Sequence, residues 1–185
     1  MTGSSLAPSL LVAMPQLLDP NFKRAVVLLV HHDEGGTFGL VVNRAADLTV
    51  DVLCDDLQLD WKGDRQTPLA WGGPVQPNTG WVLFGDGAPS EIDDANLLAP
   101  GLSVAGSLET LRKIAVEPPG SLRLMLGYAG WGPHQLEEEM AQGAWLVAPA
   151  CPDTVFGVSP EVMWDHVVRG MGIDPATLIA TPGVH

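Results

Sequence analysis

Apolar positions in this chain fall into short unbroken runs rather than strict alternation. Ala25 to Val30 is a continuous β-branched and leucine run, and so is Leu40-Val41-Val42, with the turn residues Asp33-Glu34-Gly35-Gly36 between them. That pattern predicts a hairpin over 25–43. Strands apolar on both faces imply burial inside a layered α+β or α/β domain. Further strands are predicted at 6–14, 69–71, 80–84, 122–126 and 144–148. Helical spacing appears where Thr49 caps a segment running to Leu57, and where Ser107 caps Leu108, Leu111 and Ile114 on one face. It recurs at 135–142, with Leu136 and Met140 four apart and glutamates in the first turn, where the helix dipole favours them. A last helix starts at Ser159-Pro160 and stops before Gly172. The stretch 85–101 is rich in Gly, Pro, Asp and Ser and predicts a long, mobile surface connection. One domain over 1–185 accommodates all of this.

Three cassettes place Gly, Asn or Pro at the ends of these apolar runs: Val42-Asn43-Arg44, Trp71-Gly72-Gly73-Pro74-Val75 and Gly127-Tyr128-Ala129-Gly130-Trp131. Asn43-Arg44 could clamp an anion, since guanidinium offers a planar fork and Asn can donate beside it. The commoner role for such a pair is closing a turn. Gly72-Gly73-Pro74 lacks phosphate-loop spacing, so its glycines either admit a ligand to the backbone or allow tight strand crossing. The third cassette, leading into Gln135-Leu136-Glu137, is the best site candidate, because a strand end meeting a helix N-terminus leaves N–H groups free. Tyr128 and Trp131 would wall such a site, with Gly130 between them and Gln135 and Glu138 adding polar contacts. In the alternative, Trp131 plugs the core and the glutamates form a solvated face.

Charge narrows the functional classes. With 22 acidic against 9 basic residues the net charge is −13, and the basic residues are scattered. Phosphate backbones need clustered Lys and Arg, so direct nucleic-acid contact is disfavoured, and anionic lipid surfaces would repel the chain. No run approaches the roughly 20 apolar residues of a membrane span. The start Met1-Thr2-Gly3-Ser4-Ser5 lacks the cationic region of a secretory signal. Cys54 and Cys151 are too far apart for a Cys-x-x-Cys motif, and a reducing cytoplasm suits them. His31 and His32 point to opposite strand faces, and His134, His166 and His185 show no ligand spacing, so no metal or other cofactor is expected. Gly101-Leu102-Ser103-Val104-Ala105 imitates a nucleophile elbow but lacks the preceding strand and following helix.

Six ordered motifs nevertheless carry a family likeness across nearly the entire chain. Asp19-Pro20-Asn21-Phe22, Gly39 to Arg44, Gly72 to Val75, Leu126 to Trp131, Gln135 to Glu139 and Trp145 resemble the YqgE/AlgH family. The resemblance implies a small cytoplasmic bacterial protein with an α+β fold, whose bent, mostly antiparallel sheets form a pseudo-barrel with flanking helices. It also brings a transcriptional-regulator label, drawn from a link to alginate production, and no agreed catalytic residues. The expectation is a non-enzymatic regulator that acts indirectly by binding a protein partner or a small ligand. Its groove would lie between Gly72-Gly73-Pro74 and Gly127 to Gln135, with 85–101 as a rim. Two rival classes are an enzyme or nucleotide-binding protein using Asn43, Arg44, Gln135 and Glu138, and a DNA-binding regulator.

Overall fold

The computed structural model describes residues 5–17, 19–89 and 92–179; the Met1–Ser4 start and His185 lie outside them. In chain order the elements are β1 (Ser9–Ala13), β2 (Val26–Asp33), β3 (Gly36–Val41), β4 (Ala45–Thr49), α1 (Val50–Asp56), β5 (Pro68–Trp71) and β6 (Val75–Phe84). They continue with β7 (Asn96–Ala99), β8 (Leu102–Ala105), α2 (Leu108–Val116), β9 (Leu122–Trp131), α3 (Gln135–Ala141), β10 (Trp145–Ala148), α4 (Pro152–Gly157), α5 (Pro160–Gly170) and α6 (Pro175–Ile179).

The strands form one sheet in the order β10-β1-β2-β3-β9-β6-β8-β7, with β5 pairing β9 and β4 pairing β5. Every pairing is antiparallel except β5 with β9. β9 joins the halves. Ala129 to Trp131 pair with β3, Met125 and Leu126 pair with β5, and residues 122–128 pair with β6.

The double-sided apolar runs have a direct structural cause. Along β1, Leu10 and Val12 enter one core while Leu11 and Ala13 enter another, and β2 divides Val26 and Leu28 from Val27 and Leu29 in the same way. The first core also receives Leu83 of β6, Leu102 and Val104 of β8 and Met125 of β9, so both halves of the sheet wrap around it. Helix α5 closes it with Met163, Trp164, Val167 and Val168, and the Trp164 indole N–H donates to the Ala13 carbonyl at 2.8 Å. The second core lies under α3, and a third is built on Val82, Phe84 and Leu124 beneath α1 and α2. The wrapping stops short of a barrel, because β10 and β7 end the strand path without pairing with each other.

Several boundaries differ from the sequence reading. The 85–101 stretch contains β7, and Gly101 to Ala105 contains β8, where Ser103 pairs with Phe84 and Leu97 as a ladder residue rather than standing on an elbow. Gly127 does not end its strand. It sits inside β9 at φ +79°, a left-handed conformation that glycine adopts without steric penalty.

Candidate functional site

The three cassettes meet, and they meet backbone to backbone. The Val41 N–H donates to the Gly72 carbonyl at 2.8 Å, the Gly72 N–H to the Leu126 carbonyl at 2.7 Å, and the Trp71 N–H to the Arg44 carbonyl at 2.9 Å. A Cβ added at Gly72 would fall on the Gly127 carbonyl, and one at Gly73 on the Tyr128 peptide group. The glycines therefore serve strand crossing, and the space they free holds neighbouring main chain. Pro74 follows at the exposed exit of this corner.

Asn43 and Arg44 fasten the turn at 19–25. Asn43 Oδ1 accepts from the Val26 N–H at 2.9 Å, and its Nδ2 donates to the Arg24 carbonyl at 2.9 Å. The Arg44 guanidinium donates to the Pro20 and Lys23 carbonyls and lies over the Trp71 ring, 5.6 Å from its centroid. Burial pushes the Arg44 pKa down and Asp19 opposes the shift, but a guanidinium remains charged. These donors and acceptors are engaged by main chain.

The third cassette is organised by Glu139, a motif residue that is not among the expected binding residues. Trp131 and Trp145 are 6% and 3% exposed, and Phe22 packs against both rings. One Glu139 oxygen accepts both indole N–H groups, at 3.1 Å from Trp131 and 2.9 Å from Trp145. Its other oxygen accepts from Gln135 Nε2 at 2.9 Å, while Gln135 Oε1 accepts from the Gly132 N–H at 2.9 Å. Glu138 is exposed on the same helix. Tyr128 stacks obliquely on Phe38 at 4.9 Å. Tyr128, Gly130 and Trp131 do share the wall of a shallow, open hollow of about 520 Å³ beside the β2–β3 hairpin, but none of the other candidate residues lines it.

The histidines are likewise engaged separately. His31 pairs with Asp33 at 2.7 Å. His32 Nδ1 accepts from the Leu6 N–H at 3.0 Å, so the neutral ring carries its proton on Nε2, facing Glu137 at 3.5 Å. That tautomer has no Nε2 lone pair for a metal. Among the described residues no group of three or more His, Cys, Asp and Glu side chains is placed to hold a metal ion.

The more enclosed concavity is elsewhere, between α1 and α2 over the β6–β9 ladder. Leu53 and Leu57 form one wall, Leu108 and Leu111 the other, and Val82, Leu124 and Leu126 the floor, around a hollow of about 230 Å³. Leu57 and Leu108 at its rim are 39% and 50% exposed. Beneath α1 the Cys54 thiol is fully buried; burial pushes its pKa up, and the charges of Asp55 and Asp51 push it further. At the mouth of α2, Asp94 accepts from the Gly106 and Ser107 N–H groups at 3.0 Å each and from the Thr110 hydroxyl.

Residues 10–176 match the AlgH-like family. The chain belongs to that family. This AlgH-like chain is 44% identical over 182 residues to a UPF0301 protein of Myxococcus xanthus, covering 98% of this chain and 99% of that one. It is 38% identical over 181 residues to a UPF0301 protein of Ruegeria pomeroyi, covering 96% and 98%. The solution structure of the AlgH protein from Pseudomonas aeruginosa matches with a TM-score of 0.77 at 33% identity, covering 100% of this chain and 98% of that one. An X-ray structure of a Corynebacterium diphtheriae protein matches with a TM-score of 0.70 at 27% identity, covering 92% and 89%.

The family motifs in this AlgH-like chain thus mark corners and caps of the fold. Glu139 was recoverable from its four-residue spacing to Gln135 on a helix beside two tryptophans. The hollow was not, since its walls come from helices far apart in sequence. No helix among the described residues is long and apolar enough to cross a membrane.

Proposed function

We propose that this AlgH-like protein acts as an indirect regulator by binding a protein partner through the hollow between α1 and α2. The observation that carries this reading is a concave apolar surface with exposed leucines at its rim on a molecule of net charge −13. Exposed apolar surface rimmed by polar residues marks interaction sites. Its volume of about 230 Å³ lies below the roughly 300–1,000 Å³ of drug-sized ligand sites. It suits one or two apolar side chains inserted from a partner, the arrangement in which a few buried anchors carry most of the binding energy. The net charge of −13 counts against direct DNA contact. Of the four residues an enzymatic reading would use, Asn43, Arg44 and Gln135 have their polar groups engaged within the fold, and Glu138 stands exposed on α3.

Site-specific photo-crosslinking tests this. A benzophenone side chain at position 57 or 108, in the cells that make the protein, should give the same discrete adduct. A probe at Val162, exposed on α5, should not. Equal labelling from all three positions, or none from the hollow, would overturn the assignment.

A further inference from the structure

Resting on that reading, we infer that the partner segment received by the hollow is cationic and amphipathic, inserting an apolar side chain between Leu57 and Leu108 while its lysines or arginines face α1. The apolar half follows from the walls, which are leucine on both sides with a Val82, Leu124 and Leu126 floor.

The charged half follows from α1 and its flanks. Every charged residue from position 47 to position 60 is an aspartate: Asp47, Asp51, Asp55, Asp56 and Asp60. Asp60 pairs with Lys62 at 2.9 Å, and the Asp51 carboxylate takes the Thr49 hydroxyl, but Asp55 and Asp56 sit exposed in the last turn of α1 with no basic residue beside them there. A helix C-terminus already carries partial negative charge, so these two carboxylates stand where a cation would be favoured. The opposite wall does not cancel this negative charge. On α2 and its C-cap two acids, Glu109 and Glu117, match two bases, Arg112 and Lys113, in formal charge, and Lys113 pairs with Glu109 at 3.6 Å. No aspartate lines the hollow itself, but the charged residues of α1 and its flanks up to Asp60, which supply one wall, are all acidic, while those of α2, which supplies the other, balance. An anionic amphipathic segment would be repelled there, and a neutral one would leave the aspartates uncompensated.

Three short synthetic peptides of identical length test the inference: leucine with lysine in a helical amphipathic pattern, leucine with glutamate in the same pattern, and serine with lysine. Amide chemical shifts of the folded protein are followed by NMR at low and high salt. The leucine–lysine peptide should shift α1 and α2 amides and weaken on adding salt. The leucine–glutamate peptide should bind at least about tenfold more weakly. Asp55→Asn with Asp56→Asn should remove most of that discrimination, and Leu108→Ser should abolish the response while the rest of the spectrum stays that of the folded protein. Equal binding of the leucine–lysine and leucine–glutamate peptides would overturn the cationic partner and leave the hollow reading standing. Binding of serine–lysine as strong as leucine–lysine, or no response at α1 and α2 to either leucine peptide, would overturn both.

Discussion

Gly127 presses on the main chain of Gly73 where the β5–β6 corner crosses β9, and Gly73 in turn presses on the Tyr128–Ala129 peptide. A Cβ on Gly127 would overlap the Gly73 carbonyl, and one on Gly73 would overlap the Tyr128 peptide group. Both residues have positive φ, +153° and +79°. Gly73→Ala and Gly127→Ala should each destabilise the protein by about 2–4 kcal/mol, from overpacking and left-handed strain together. In thermal denaturation this is a Tm drop on the order of 5–15 °C. Gly120→Ala, where an added Cβ meets nothing within 4 Å, serves as the control and should change little.

Removing the carboxylate shared by Trp131 and Trp145 tests the aromatic corner. Glu139→Ala leaves two indole donors of largely buried rings without their acceptor and should cost about 2–4 kcal/mol. Glu139→Gln retains one amide oxygen and should lose roughly half as much. Urea unfolding followed by tryptophan fluorescence measures both, and equal losses would show that an acceptor at this position is not what matters.

Asn43 acts as a bracket between β3 and the turn before β2. Asn43→Ala removes both its bonds to main chain and should cost about 1–3 kcal/mol. Asn43→Asp keeps the acceptor for the Val26 N–H but turns a carboxylate toward the Arg24 carbonyl. It should not restore stability. The check is the urea midpoint at unchanged slope.

The two thiols should differ sharply in reactivity. Cys54 is fully buried with a raised pKa, from burial first and from Asp55 and Asp51 second, whereas Cys151 is part-exposed. A disulfide-exchange reagent should titrate one thiol promptly in the native protein and the second only on unfolding. Cys151→Ser should abolish the prompt phase.

Asp94 gives a sign-definite pH effect. Burial alone would raise its pKa, but hydrogen bonds from the Thr110 hydroxyl and the Gly106 and Ser107 N–H groups outweigh it and hold the carboxyl below its usual range. A depressed folded-state pKa contributes stability above the unfolded value near 3.9, lost as pH falls through the lower folded value. Asp94→Asn should therefore be less stable than the parent at neutral pH. The gap should narrow in acid, measured as urea midpoints from pH 7 down to about pH 3.

The fold is legible in the chain where a local signal coincides with the global role. The 25–43 hairpin was legible because two cores lie on either side of β2 and β3, so their strands are apolar throughout. Thr49, Ser107 and Ser159 mark the starts of α1, α2 and α5 as expected, although only Ser107 makes the side-chain bond of a cap, to the Thr110 N–H. Gly127 misled, because a glycine at a bend within a strand reads like one at a strand's end. β7 and β8 were hidden in composition that favours turns. At the candidate site, residue types suited to binding proved to be those that close corners, since both tasks need side chains that bond to main chain. The apolar hollow was invisible for a different reason: Leu53 and Leu111 look like ordinary core positions until two helices are seen to stand apart.

The placement of β9 sets the order of assembly. This strand lies late in the chain yet mid-sheet, holding β3 and β5 along one edge and β6 along the other. Until residues 122–131 emerge during synthesis, the earlier strands have pairing partners only within three unjoined pieces, β1-β2-β3, β4-β5 and β6-β8-β7, and the inner core cannot close. Construction of this molecule is governed by distant closures rather than neighbouring ones, the regime in which chains mature slowly and rely on protection before their central member arrives.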